Sequence, residues 1–430
     1  MKVKFHEDHV LHKVYLVFLS ILLIVLFSAH SFADMTVKNQ KENIIFFVDS
    51  KNSSEISQIK TEFGSNNFEY IPEIHLAHIK INIKDKQKLN KYNLKFSKSP
   101  DIDTESISPS LQLVSPYILS PNLNYDKFTW SYNRISEGLN GHVSNYGKGV
   151  KIAIIDSGID LVHPGLQDNT MTQINYSESS NENDEYGHGT QIAGVIDTLA
   201  PKSNIYSYKV MNDKEGDSYN IIKSIIDATN KKVDIINVSL TTQKNPNSSE
   251  ILNIDAFKAA VEYAKNRGIF VVGSAGNESD NLDNESDNVY LPGGLKDVIT
   301  VGATIKKGVK ADYSNYGSKV DISGPTGWYG ESYALDKTID AREMMITYYP
   351  TTKTSVFETP GIIPRGTTLS FGTSLSAPEV SAALATLISK DTNRDGSQNY
   401  YNRVKDELFN NSNRFVIDEK IGIGEVRIKD

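Results

Sequence analysis

The 430-residue chain contains no cysteine. That absence excludes disulfides, thiolate nucleophiles, cysteine-ligated zinc and a lipidated N-terminal cysteine, and it leaves the redox compartment undetermined. There is no excess of positive charge either. With 45 Lys and Arg against 53 Asp and Glu, the formal net charge is −8 and the pI is near 5.7, so neither nucleic acid nor an anionic membrane is favoured as a partner. No internal repeat stands out, the C-terminal end carries no apolar tail, and the longest apolar run, residues 14–27, falls short of the roughly 20 residues that span a bilayer.

What is present is ordinary globular material, 39% apolar and 23% charged, long enough for one large domain with a full core plus a small one. Lys2, Lys4 and Lys13 precede the run at 14–27, and Ser31-Phe32-Ala33 follows it. A positive start, a short apolar stretch and a small-residue cleavage pattern read as a secretory signal over residues 1–33. The expectation is a secreted, extracellular protein with no stable membrane anchor.

Beyond the signal, residues 34–96 form a small unit. Short apolar or alternating stretches at 44–48, 74–83 and 92–96 read as strands, and 53–63 and 85–90 read as helices,. This order predicts a small α+β domain of ferredoxin-like type. Residues 97–125 carry Pro100, Pro109, Pro116 and Pro121 among many serines and read as an exposed, cleavable linker. From 126 to 430 the pattern changes. Strands expected at 150–155, 205–210, 233–238, 269–273 and 298–301 alternate with or precede helices at 218–229, 255–267 and 374–388. That alternation predicts an α/β fold, a parallel sheet with helices on both faces.

Four stretches of this large domain carry chemistry. Asp156 ends the first apolar strand, where open α/β sheets place their ligands; by itself it is either functional or a buried hydrogen-bonded acid. His188 stands in Gly187-His188-Gly189-Thr190 at the start of an apolar helix, and a lone histidine there is more often structural. Asn277 closes the strand in Gly276-Asn277-Glu278 and offers an amide donor that does not change charge. Ser374, in Phe371-Gly372-Thr373-Ser374, opens a small-residue helix, with Pro378 expected in its first turn. A serine at a helix start is usually a cap. The order Asp, His, Asn, Ser, each at a glycine-rich junction, removes the bland readings together, because a carboxylate, an imidazole and a hydroxyl make a Ser-His-Asp set.

These motifs resemble the subtilisin-like serine peptidases, over a span from about residue 130 to the closing Gly422-Ile423-Gly424. The resemblance implies a subtilisin-like fold and peptide-bond hydrolysis. Asp156 would orient His188, His188 would act as general base and then acid, Ser374 would be nucleophile, and Asn277 with the Ser374 backbone N–H would bind the oxyanion. Within the family, the segment around 71–80, the stretch 130–138 and the insertion 324–370 are similar to the lantibiotic leader peptidases. That likeness implies a zymogen whose own propeptide, residues 34–96, assists folding and blocks the cleft, and a peptide substrate, a lantibiotic precursor.

The resemblance also implies cleft walls at Ser239, Leu240 and Thr241 on one side and at Gly216, between Glu215 and Asp217, on the other. Thr241 stands where the family usually has glycine, and Tyr290 falls at the floor of the first pocket; Glu278, Glu215 and Asp217 are either acids that attract a basic substrate or solvated surface acids. The family's strong calcium loop has no room after the histidine helix, and Gly165 stands where a carboxylate ligand is usual. No cofactor and no metal site are therefore expected to be required, with Asp184 and Glu185 left as the ligands of a weaker calcium site. The alternatives are a general extracellular subtilase and, outside enzymes, an inactive surface protein that binds through the cleft.

Overall fold

The computed structural model describes residues 41–49, 53–99, 102, 125–136, 146–167, 171–212, 216–286, 288–413 and 421–429. The expected signal segment, most of the linker, and Glu215 lie outside the described residues. Those described fall into two compact units.

The smaller unit has the strands β1 (Lys41–Phe47), β2 (Phe68–Ile71), β3 (Leu76–Asn82) and β4 (Phe96–Lys98), with the helix α1 (Ser53–Phe63) between the first two. The strand order β2-β3-β1-β4, with β1 and β4 antiparallel, is the split arrangement that the sequence predicts. Two details differ. The single strand expected over 74–83 is β3, preceded by the separate β2, because His75 takes a left-handed conformation, φ 54°, at a turn before Leu76. The helix expected at 85–90 is a 3₁₀ stretch, Ile83–Tyr92, whose lysine-rich sequence buries only Leu89 and so has little apolar face to hold a regular α-helix,. Ile44, Phe46, Ile59, Ala77, Ile79 and Leu89 form this unit's core.

The larger unit is built on seven strands in the order β13-β12-β10-β8-β5-β7-β6. They are β5 (Lys151–Asp156), β6 (Met171–Asn175), β7 (Asn204–Lys209), β8 (Ile235–Val238), β10 (Phe270–Ser274), β12 (Ile299–Thr304) and β13 (Ile322–Pro325). Every pairing is parallel. The central strands are buried on both faces, and for that reason they read as continuous apolar runs with no alternation. The helices are α2 (Trp130–Ile135), α3 (His188–Leu199), α4 (Ser218–Asn230), α5 (Ile251–Lys265), α6 (Ser332–Asp336), α7 (Thr373–Lys390) and α8 (Gln398–Asn411). A two-stranded pair, β9 (Thr242–Lys244) with β11 (Val289–Leu291), and a hairpin of β14 (Met345–Tyr348) with β15 (Thr367–Ser370) complete the unit.

Helix α7 is the centre of the packing. It touches α3, α8 and the strands β8, β10, β12 and β13, and every residue from Thr373 to Ile388 is buried. Its alanines and serines let these neighbours approach closely. A helix apolar all round belongs inside a protein rather than at its surface, and here it fixes Ser374 against the sheet.

Candidate active site

Asp156 is the last residue of β5, and His188 is the first residue of α3. The His188 Nδ1 lies 2.8 Å from Asp156 Oδ1 and 3.0 Å from Oδ2, and both side chains are about 1% exposed. A carboxylate only accepts, so Nδ1 carries the proton and the Nε2 lone pair is left over. Among the described residues Nε2 has no hydrogen-bond partner. Asp156 Oδ1 also accepts from the Ser157 N–H at 2.8 Å, which fixes the carboxylate's rotation.

Ser374 is the second residue of α7. Gly372, the residue before the helix, has φ 130° and ψ 157°, a conformation that favours glycine. A side chain there would also meet Ser374 Oγ at 3.4 Å and Asn277 Nδ2 at 3.7 Å, so the hydroxyl and the amide converge over the bare face of Gly372. The amide's orientation follows from its partners. Asn277 Oδ1 accepts from the Thr373 N–H and Oγ1, both at 3.0 Å, and an N–H donor requires the oxygen on that side. The Asn277 NH2 is thereby turned away from Thr373.

Pro378 is the sixth residue of α7, in its second turn rather than its first. Having no N–H, it leaves the Ser374 carbonyl without the usual intrahelical bond. Ser239 Oγ supplies one at 2.7 Å; Ser239 in turn accepts from Asn237 Nδ2, and Asn237 Oδ1 accepts from Ser381 Oγ, each at 2.9 Å. The Ser239 hydroxyl therefore serves the helix that carries Ser374. Asp156 ends β5 and Asn277 follows β10, parallel strands on either side of β8, so the Asp156–His188 and Asn277–Ser374 pairs stand at the same carboxyl edge of the sheet.

The other expected cleft residues are buried or bonded within the protein. Leu240 is fully buried, and Thr241 Oγ1 lies 3.2 Å from Ser274 Oγ. Glu278 accepts from Asn315 Nδ2 at 2.9 Å, and the Tyr290 hydroxyl bonds Asp280. Burial, with Asp280 and Glu278 nearby, pushes the Tyr290 phenol up, so it stays a neutral donor. Gly216 bridges Met211; its carbonyl accepts from the Ile102 N–H at 2.9 Å, and the Ile102 side chain lies against it. Ser99 Oγ bonds Asp217.

The two residues named for a weaker calcium site are both engaged by protein groups. Both oxygens of Asp184 are taken by protein donors, and Glu185 pairs with the buried Lys209 at 3.0 Å. At Gly165 the space for a ligand side chain is filled by Tyr348, whose ring stacks on His163 at 4.5 Å. The insertion that the sequence marks at 324–370 supplies that ring from β14. Sequence reasoning missed this hairpin's seat on α3, where Thr347 Oγ1 bonds the Gln191 carbonyl at 2.7 Å and the Tyr348 hydroxyl bonds Asp197 at 2.9 Å. The clue available was the pair of small residues, Gly165 and Gly194, that leave it room.

A model of the subtilase family matches residues 147–424. The epidermin leader peptide-processing serine protease EpiP of Staphylococcus epidermidis is 28% identical over 432 residues, covering 88% of this chain and 90% of that protein. Subtilisin E of Bacillus subtilis is 30% identical over 261 residues, covering 58% of each. Among solved structures, a lanthipeptide protease superposes with a TM-score of 0.65 at 33% identity, over 70% of this chain and 94% of that one. EpiP of Staphylococcus aureus superposes at 0.71 with 20% identity, over 91% of this chain and 97% of its own, a likeness of fold.

Proposed function

We propose, for a chain that belongs to the subtilase family and is by that membership a serine endopeptidase, that it is a secreted zymogen which removes the leader from a lantibiotic precursor. The observation that carries the catalytic part is the buried Asp156–His188 pair, which leaves the Nε2 lone pair for the Ser374 hydroxyl. In this mechanism Ser374 Oγ attacks the scissile carbonyl while Nε2 takes its proton. The Asn277 NH2 and the Ser374 N–H at the start of α7 stabilise the oxyanion, aided by the positive end of that helix. His188 then returns the proton to the leaving amine, and water, activated by the same imidazole, hydrolyses the acyl-enzyme.

The leader-processing part is supported by the reach of the similarity. EpiP covers 88% of this chain where subtilisin E covers 58%, so the likeness to the leader protease takes in sequence outside the peptidase core. The zymogen reading is supported by Ile102 and Ser99, which occupy Gly216 and Asp217 on the expected cleft wall. Backbone pairing of that kind is how an extended peptide would bind there. The second reading, a general extracellular subtilase, is favoured by the likeness to subtilisins. Incubation with casein and with a lantibiotic precursor separates the two. Leader processing gives one cut in the precursor and slow or no loss of casein; comparable degradation of both would establish the general protease.

A further inference from the structure

Asp184 lies in the loop before α3, is about 1% exposed, and bonds neither His188 nor Asp156. Its Oδ1 accepts from Ser157 Oγ at 2.8 Å and from the Gly187 N–H at 2.7 Å. Its Oδ2 accepts from the Thr190 N–H at 2.9 Å and from Thr190 Oγ1 at 2.7 Å. All four acceptor positions of the carboxylate are filled. The two hydroxyls are relays. Ser157 Oγ, in the loop after Asp156, accepts from the Gly189 N–H of α3 at 2.9 Å; Thr190 Oγ1, on α3, accepts from the Asp160 N–H of that loop at 3.0 Å. Each hydroxyl takes a backbone proton from the opposite segment and gives its own proton to Asp184.

We infer that Asp184 is a positioning residue for peptide hydrolysis: its carboxylate cross-braces the loop that carries Asp156 to the first turn of the helix that carries His188. The two segments meet where Gly189 faces the Gly158 carbonyl, with only 2.0 Å between that oxygen and the site a Cβ would occupy. The brace holds that contact closed from both sides, and with it the angle between imidazole and carboxylate. A Ser157 N–H bonded to Asp156 Oδ1 carries the constraint directly into the catalytic acid. Burial pushes the Asp184 carboxyl up, and its hydrogen bonds from Thr190, Gly187 and Ser157 favour the ionised form,. Tyr349 of the insertion lies over Gly187 and shields the assembly from water. An asparagine cannot replace this group, since whichever way its amide turns, an NH2 faces an N–H donor that it cannot accept.

The inference rests on the peptidase reading, and its test separates the two. Wild type, Asp184→Asn and the milder Ser157→Ala and Thr190→Val are compared as full chains, each activated with the same trace of wild-type enzyme. The readouts are kcat and KM on an internally quenched peptide that the wild type cuts, and the low-field proton resonance of the His188 Nδ1–H. A wild type that cuts no peptide refutes the peptidase reading itself. With an active wild type, Asp184→Asn lowers kcat by about tenfold or more with KM within about twofold, the scale expected for a misplaced catalytic group. It also shifts or broadens the Nδ1–H resonance. Each hydroxyl variant costs less, and combined with Asp184→Asn adds nothing, as members of one unit should. An unchanged kcat and resonance in the folded Asp184→Asn enzyme would overturn the inference. So would additive losses, or, should that variant not fold, full kcat in both hydroxyl variants.

Discussion

At the scale of residues, the candidate site is set by which atom of each group its neighbours engage. Asp156 takes one imidazole nitrogen and frees the other; Thr373 takes the Asn277 oxygen and turns the amide nitrogen outward; Pro378 withholds an N–H and hands the Ser374 carbonyl to Ser239. The Asn277→Ala enzyme should lose about 10² to 10³ in kcat with little change in KM, because an oxyanion donor acts chiefly in the transition state. Steady-state kinetics on a peptide substrate check this, and a loss below tenfold would remove Asn277 from the oxyanion hole. The placement of the four candidate residues at strand and helix ends was legible because each sits in a glycine-containing motif at such a junction. Ser239 and Asp184 were not: their partners lie far away in sequence, and nothing local distinguishes a serine that caps a distant carbonyl from one that lines a cleft.

At the scale of elements, α7 carries a buried acid, Glu379, into the core behind Ser374. Glu379 Oε1 accepts from Ser131 Oγ of α2 at 2.5 Å, and Glu425, itself paired with Arg134 at 3.3 Å, lies close by. Burial, reinforced by the Glu425 charge, holds Glu379 well above the ordinary carboxylate range. Below that range the group is protonated in folded and unfolded chains alike. Above it the unfolded chain ionises while the folded chain does not, so unfolding releases a proton and stability falls as pH rises toward the folded-state pKa. Glu379→Gln ionises in neither state. Its melting temperature, relative to wild type, should therefore rise between about pH 4 and pH 8; a difference that stays constant across that range would show that the carboxyl ionises equally in both states. The parallel sheet was legible as apolar runs without alternation, and α4 and α7 lie within one or two residues of their expected bounds. The short β6, β9 and β11 and the hairpin β14–β15 were not, since they are held by pairing with distant segments rather than by any periodicity of their own.

At the scale of the whole molecule, the proposed zymogen would carry its own first substrate. Ser374→Ala should accumulate uncut if maturation is self-catalysed, and intact mass spectrometry of the purified chain reads this; normal trimming of that variant would assign the cut to another protease. Chelation bears on the other whole-molecule expectation. With Asp184 and Glu185 engaged by protein donors and Gly165 covered by Tyr348, excess EDTA should leave both activity and melting temperature unchanged. A fall in either that calcium restores would place a metal site elsewhere in the chain.

The central claim is that Ser374 is a nucleophile activated by the Asp156–His188 pair. A fluorophosphonate probe tests it most directly, with the adduct located by tandem mass spectrometry after digestion. The account predicts one adduct, on Ser374, formed by the matured wild-type enzyme and lost in the folded His188→Ala variant. An unlabelled wild type, an adduct on another serine, or labelling that survives the loss of His188 would contradict it.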